Sequence, residues 1–259
     1  MTFYHFLVNL YELAMLEVIL IFFMIFFILT FFYKQAICEF RINQINWTQK
    51  DDIPALLNEK VPIVIRSIPS ATFWTRNDVL TRDCFHIPIF KELSLTEWIA
   101  SSTPDSICPW THVQAEIIAN VSGINIWANK INPFIHPFLK WWIFPRYHCW
   151  AGNIGLRKTF SWTCFFPVDG EIILSIMPEN VESSLPENWM NCFPANLTTK
   201  DTPFVSDLKF IDIILRPGNC IFIPAHWFVS WTTTPTAENT PMVCSISYHT
   251  PISLAFTRV

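Results

Sequence analysis

Two adjacent basic residues, Arg157 and Lys158, lie in the segment GLRKTF and could together hold an acidic ligand. An arginine guanidinium donates two parallel hydrogen bonds to one carboxylate, so it can fix a small anion in a single orientation. The competing interpretation is structural, with one of the two residues facing solvent and the other in a salt bridge. The sequence leaves both interpretations open.

Other kinds of site have little support in the sequence. The eight cysteines are scattered without a CxxC pair, so a zinc site of the finger type is not predicted. Their even number permits disulfides, although most are expected to be small buried apolar residues. The motifs GxGxxG and GxxxxGK followed by Ser or Thr do not occur. A net charge of -4 without a basic run argues against a nucleic-acid partner.

An apolar segment from Leu13 to Tyr33 predicts one membrane-spanning helix, since it has 21 residues and Glu17 is its only charge. About 20 apolar residues are enough to cross a bilayer as a helix. No basic region precedes the segment and no small-residue cleavage pattern follows it, so an anchor is predicted rather than a signal peptide. A buried core helix is the remaining alternative.

The side of the membrane that holds the rest of the chain is predicted from the flanking charges. Three cations follow the span and none precedes it: Lys34, Arg41 and Lys50. The positive-inside rule therefore predicts a cytoplasmic domain. Three N-x-S/T sequons would suit the opposite, luminal side; their asparagines are Asn46, Asn120 and Asn196.

Beyond the predicted anchor, short apolar runs punctuated by prolines predict a mainly β domain of the α+β class. The runs are VPIVIRSI, TCFFPV, EIILSIMP, FIDIILRPG, NCIFIPA and MVCSISYHT. Helices are predicted before most of these runs, in TEWIASS and THVQAEIIANVSG. The aromatic segment NPFIHPFLKWWIFPRYHCW, which contains three prolines, predicts an irregular cover.

Two turns in this region predict two hairpins, one at Asp169-Gly170 and one at Pro217-Gly218-Asn219. Because side chains alternate along a strand, every second residue of the flanking runs is expected to face one core. These residues are Ile172, Leu174, Ile176, Ile221 and Ile223.

Four phrases carry a resemblance to a known family: KVPIVIRSIPSATFWT, WAGNIGLRKTFSWTCFFPVDGEIILSIMPE, LRPGNCIFIPAHWFVSW and CSISYHTP. They resemble the opening strand, the central hairpin, the strand pair ending in the last metal ligand, and the strand after it, of the JmjC-like cupins. This cupin-8 group includes cupin-like proteins carried by large DNA viruses. The resemblance covers about Val61 to Thr250 and implies a double-stranded β-helix, or jelly roll, with a helical flank.

Active members of that family use Fe(II) and 2-oxoglutarate, and two histidines and one carboxylate hold the iron. The resemblance implies that the first histidine and the carboxylate fall at Arg157 and Thr159, counted back from Gly170. The last histidine falls at Val229. None of these three side chains is an iron ligand, and a guanidinium would repel the ion. The resemblance therefore implies a pseudoenzyme without iron or 2-oxoglutarate as cofactors.

Two further sites are compatible with this alignment. A remnant pocket for a small acidic ligand would use Arg157, Lys158, Thr159 and His226. A rebuilt metal site would use His148, Asp169 and His226, although Asp169 lies in a predicted turn. The ordinary role of His226 would be a buried histidine bonded to backbone.

The sequence thus predicts three segments: residues 1–34 with the membrane helix, 35–60 as a linker leading into the domain, and 61–259 as the cupin-like domain. We expect a single-pass, non-catalytic binding or structural module whose partners are the membrane and, in one interpretation, another protein. The alternatives are an Fe(II)- and 2-oxoglutarate-dependent oxygenase (hydroxylase or demethylase) with an atypical metal site, and a binder of a small acidic ligand.

Overall fold

The structure, a computed structural model, describes residues 2–34, 40–69, 75–90, 93–135 and 142–256. Its helices are α1 (Thr2–Lys34), α2 (Ile53–Asn58), α3 (Arg76–Thr81), α4 (Leu95–Ser101), α5 (His112–Ser122), α6 (Ile124–Ile135) and α7 (Pro251–Phe256). Its strands are β1 (Asn43–Asn46), β2 (Ile63–Arg66), β3 (Pro88–Phe90), β4 (Leu93–Ser94), β5 (Phe144–Ala151), β6 (Ile154–Lys158), β7 (Trp162–Asp169), β8 (Ile172–Met177), β9 (Ile211–Leu215), β10 (Cys220–Ile223), β11 (Phe228–Thr233) and β12 (Met242–His249).

Helix α1 contains the predicted membrane segment. Its stretch Met15–Phe32 is long and apolar enough to cross a membrane, and none of it is buried. A core helix would be packed inside the domain, so that alternative is wrong. The exposed apolar side chains suit a lipid environment. Of the predicted linker, residues 35–39 lie outside the described residues, and the part from residue 40 onward includes β1 and α2.

Most strands belong to two sheets that pack face to face. One sheet has six strands in the order β1-β2-β10-β7-β12-β5, and the other has four in the order β6-β11-β8-β9. All neighbours are antiparallel except β1 and β2. From β5 to β12 the chain changes sheet at every connection except the one between β8 and β9. The predicted mainly β class is therefore confirmed.

The two predicted turns exist, but the hairpins do not. Gly170 has a φ of +79° and Gly218 a φ of +96°, conformations that favour glycine. The first turn joins β7 to β8 and the second joins β9 to β10, and each of these pairs has its strands in different sheets. The hairpin prediction was wrong because the flanking runs are apolar at most positions, and such runs carry little information about the pairing partner.

The predicted core residues do share one core. Ile172, Leu174 and Ile176 of β8 face Ile221 and Ile223 of β10 across the two sheets, and all five are fully buried in one cluster. Burial of a large aliphatic side chain contributes about 1.5–3 kcal/mol, so this layer is a main source of the stability of the sandwich.

The helical predictions are confirmed for α4 and α5. Helix α5 begins after Thr111, whose hydroxyl and backbone N–H lie 3.1 and 2.8 Å from Gln114 Oε1. It ends at Gly123, where φ is +76°. The segment predicted as an irregular cover instead contains the end of α6 and all of β5 except its last residue, Ala151, while residues 136–141 lie outside the described residues.

Candidate functional site

A cavity of about 220 Å³ lies between the two sheets. Its walls come from strands of both sheets, because alternate residues of a strand face the same side. The strand residues that face it are Arg146, His148 and Trp150 of β5, Thr163 and Phe165 of β7, Ser245, Ser247 and His249 of β12, and Val229 and Trp231 of β11. Strand β6 and the residues after it supply Arg157, Thr159 and Ser161, and the first residue of α5 supplies His112.

The charged residues that line the cavity are all basic. None of the described residues that line the cavity is Asp or Glu, whereas Arg146 and Arg157 are both among them. An arginine stays protonated at neutral pH in proteins. The cavity therefore carries positive charge, and the described residues of its wall supply no carboxylate to neutralise it.

The Arg157 guanidinium lies against an aromatic ring and has no acidic partner among the described residues. Its guanidinium carbon lies 4.8 Å from the centroid of the Trp150 ring, a cation–π contact. Burial lowers the pKa of Arg157 from its ordinary value. Among the described residues no carboxylate lies within salt-bridge distance of its guanidinium. The guanidinium is held in place by an aromatic face with its hydrogen-bond donors still available.

Lys158 has the opposite arrangement. Its Nζ donates to Glu182 Oε2 at 2.6 Å and to Glu179 Oε1 at 3.2 Å. Adjacent residues of β6 point to opposite sides, so Lys158 borders the cavity while its ammonium is paired outside it. The two basic residues therefore differ: Arg157 lines the cavity, and the ammonium of Lys158 is in salt bridges outside it.

Hydrogen bonds of Thr159 and His226 connect the end of β6 to the segment before β11. The Thr159 hydroxyl donates to the carbonyl oxygens of Pro224 and Trp227 at 2.7 and 3.0 Å. The backbone N–H of His226, a residue with φ of +71°, donates to the Thr159 carbonyl at 2.6 Å. The His226 ring is buried 3.9 Å from Glu179 and does not line the cavity. Of the four predicted pocket residues, Arg157, Lys158 and Thr159 therefore line the cavity and His226 does not. The Thr159 hydroxyl is already used in hydrogen bonds to backbone carbonyls.

The positions that the cupin resemblance assigns to iron ligands do meet in this cavity. Arg157 and Val229 are directly paired between β6 and β11, and both line the cavity with Thr159. A guanidinium, an apolar side chain and a hydroxyl already donated to carbonyls do not fit Fe(II), which is held by imidazole and carboxylate. The residues at these three positions thus disagree with the family's cofactor.

The fallback metal site is not assembled. His148 lines the cavity, Asp169 lies at the end of β7 opposite Met242, and His226 lies next to Glu179. Within the described part of the chain, no group of three His, Cys, Asp or Glu side chains is placed to hold a metal ion.

Three histidines of the cavity are neutral at pH 7. Burial lowers the pKa of His148 to about 3, with further contributions from His112, His249 and the two arginines. Burial and then Arg157 lower the pKa of His112 to about 4, and burial and then Arg146 lower that of His249 to about 4. The His112 and His148 rings meet edge to face with centroids 5.4 Å apart. These rings supply apolar faces and neutral polar atoms, and the arginines supply the charge.

Two buried polar atoms of the lining have no hydrogen-bond partner among the described residues. They are Ser161 Oγ and Trp150 Nε1, and both residues are almost completely buried. Buried polar atoms are normally hydrogen-bonded in native proteins. Unsatisfied polar atoms in the wall of a cationic cavity are typical of a site that a polar ligand completes.

Most residues of the cavity wall were not predicted from the sequence. His112, Arg146 and His249 were not predicted as site residues, nor were Ser245 and Ser247. Ser245, Ser247 and His249 could have been found from the sequence. They alternate with apolar residues in the run MVCSISYHT, which indicates a strand with one polar face.

No protein-family model and no curated protein matches the chain.

Proposed function

We propose that this chain is a membrane-anchored, non-catalytic cupin-like protein whose cavity binds a small anion bearing a carboxylate. The observation that carries the proposal is Arg157, which is stacked on Trp150 in a cavity whose described wall has no acidic residue. The cavity of about 220 Å³ is smaller than those of drug-sized ligands, which occupy about 300–1,000 Å³. A ligand of a few carbon atoms is the class that fits.

The strand order supports the cupin-like part of the proposal. In a double-stranded β-helix eight strands are divided equally between two sheets, and the two central strands are neighbours in one of them. Strands β5 to β12 follow this pattern, with β8 and β9 as the central pair. The cavity between the sheets is where such a fold would hold its ligand. Three of the four phrases that resemble JmjC-like cupins fall on these strands, and the first, KVPIVIRSIPSATFWT, contains β2.

The chemistry of the wall favours binding over oxygenase catalysis. The Arg157 guanidinium can donate two hydrogen bonds to one carboxylate. The Ser161 hydroxyl and the Trp150 N–H, which have no partner among the described residues, add further donors. The assigned iron positions carry no ligand for iron. We therefore propose that the ligand is held and released unchanged, while α1 keeps the domain at a membrane.

A calorimetric titration of the full-length protein in detergent tests this function. Succinate, 2-oxoglutarate and inorganic phosphate are the probes, each in the presence of EDTA. We expect at least one carboxylate to bind, and Arg157→Gln to weaken it tenfold or more because the bidentate donor is gone. Arg157→Lys keeps the positive charge but loses the two parallel N–H donors. It should therefore weaken binding by less than Arg157→Gln does.

The matched control is Lys158→Gln, which removes the neighbouring cation outside the cavity. It should leave the affinity unchanged within about twofold, since that ammonium is already paired with Glu179 and Glu182. Equal losses in the two variants, or no heat of binding with either carboxylate, would overturn the proposed function.

A further inference from the structure

Two cysteines are neighbours on adjacent strands of the six-stranded sheet. Cys149 of β5 is directly paired with Cys244 of β12, and their Sγ atoms are 2.6 Å apart. Both residues are buried. They lie on the side of the sheet covered by α5, where Cys149 Sγ is 3.6 Å from Ser122 Oγ. They are therefore separate from the ligand cavity, which faces the other side of β5.

The backbone already has the spacing that a disulfide needs. Directly paired residues in antiparallel strands have Cα atoms about 4.5–5.5 Å apart, within the range of about 4.4–6.8 Å found for disulfides. The 2.6 Å between the sulfurs exceeds a covalent S–S bond of about 2.05 Å by only about 0.5 Å. Small side-chain rotations can close this gap while the strands stay in register.

We propose that Cys149 and Cys244 are joined by a disulfide in the protein as it exists in the cell. The two thiols lose two electrons and two protons, and the new bond links the two sulfurs. The oxidant is the disulfide of a thiol–disulfide oxidoreductase, which accepts both electrons and both protons and becomes two thiols.

The time of oxidation follows from the burial of the pair. Thiol–disulfide exchange starts from a thiolate, and burial together with the neighbouring Cys149 raises the pKa of Cys244 well above its ordinary value. The folded pair would therefore react slowly. The bond forms while β5 and β12 pair during folding, before α5 covers the two sulfurs.

A disulfide of this kind has a consequence for membrane orientation. Such bonds persist in oxidising compartments and are rare in the cytosol. The same compartments carry out N-glycosylation, and the sequon residues Asn46, Asn120 and Asn196 are all exposed on the folded domain. The disulfide therefore favours the luminal side over the cytoplasmic side that the flanking cations predict.

Peptide mapping of the full-length protein from cell membranes tests the bond directly. Thiols are blocked with N-ethylmaleimide during lysis in a denaturing buffer, because both sulfurs are buried in the folded protein. The unreduced protein is then digested with trypsin. We expect fragment 147–157, which carries Cys149, to be linked to fragment 210–258 until a reductant is added. Cleavage by cyanogen bromide after Met242 should leave the link on 243–258, which carries Cys244, and release 210–242 with Cys220.

Two variants show whether the link joins Cys149 to Cys244 and to no other cysteine. Cys244→Ala should leave Cys149 reactive with N-ethylmaleimide, whereas Cys192→Ala, a change in a half-buried loop cysteine, should leave the link intact. Recovery of fragment 147–157 with N-ethylmaleimide on Cys149 in the unreduced wild-type protein would overturn the proposal. A link from Cys149 to the Cys220 fragment would overturn it equally.

Discussion

The space between the two sheets has two parts of opposite character. In the packed part, Ile172, Leu174 and Ile176 of β8 meet Ile221 and Ile223 of β10 without exposure to solvent. In the hollow part, the same two sheets enclose a cavity lined by arginines, histidines and serines. The two parts differ in their residue types. The packed part can stabilise the fold while the hollow part keeps unpaired polar groups for a ligand.

The largest expected effect is a charge placed in the packed part. Leu174→Asp buries a carboxylate with no partner, which should cost more than about 4 kcal/mol and leave the domain unfolded. Loss of the native tryptophan fluorescence and rapid proteolysis would report this. Ile214→Asp is the control, because Ile214 lies on neighbouring β9 with its side chain exposed, and it should fold normally. A folded Leu174→Asp protein would show that the layer is not packed as described.

In the hollow part, acidification should have the next largest effect. The pKa values of His112, His148 and His249 are lowered to about 4, 3 and 4 in the folded protein, against about 6.5 in the unfolded chain. The unfolded state therefore binds more protons below pH 6.5, and stability is lost as the pH falls toward 4. At pH 5 the loss from His148 alone is on the order of 2 kcal/mol.

Melting temperatures at pH 7.5 and pH 5 measure this loss. His148→Phe replaces a ring that is neutral at pH 7 by one that cannot be protonated, so its melting temperature should fall less between the two pH values. An equal fall in wild type and variant would contradict the neutral state of His148.

Removing the cavity cation should change stability much less than it changes binding. Arg157→Met keeps the bulk next to Trp150 but removes a half-buried charge that has no carboxylate partner among the described residues. Such a replacement is expected to leave the free energy of unfolding unchanged or raise it by up to about 1 kcal/mol. Chemical denaturation without ligand checks this. A loss of several kcal/mol would mean that Arg157 is a structural residue.

The smallest effect is expected outside the cavity. Lys158→Gln removes the ion pairs with Glu179 and Glu182, both of which are partly exposed. Exposed pairs of this kind contribute about 0–1 kcal/mol, so the denaturation midpoint should move only slightly. A larger loss would place Lys158 among the residues that hold β6 in the sheet.

The elements of the fold that depend only on local sequence pattern were predictable. The apolar segment of α1, the turns at Gly170 and Gly218, and the apolar runs that become β7 to β10 and β12 all follow from composition and periodicity. Strand β5 was missed because its aromatic residues and Pro145 suggested irregular structure. Proline is tolerated at the edge of a sheet, and β5 is an edge strand.

The pairing of strands and the cavity wall depend on long-range contacts that one sequence does not contain. Arg157 was predicted because it lies within a recognisable phrase. His112, at the start of a helix, reaches the cavity only because α5 packs against β5. The separate roles of Arg157 and Lys158 follow from strand alternation once the inner face of β6 is known, and the sequence alone did not show that face.

The central claim is that the cavity binds a carboxylate without iron. Its most direct test is a titration of full-length protein with 2-oxoglutarate under anaerobic conditions, once with EDTA and once with Fe(II), followed by calorimetry and visible absorption. We predict the same affinity in both titrations and no metal-to-ligand charge-transfer band, because Arg157, Thr159 and Val229 supply no iron ligand. Stoichiometric iron with a charge-transfer band that disappears in His148→Ala would contradict the account.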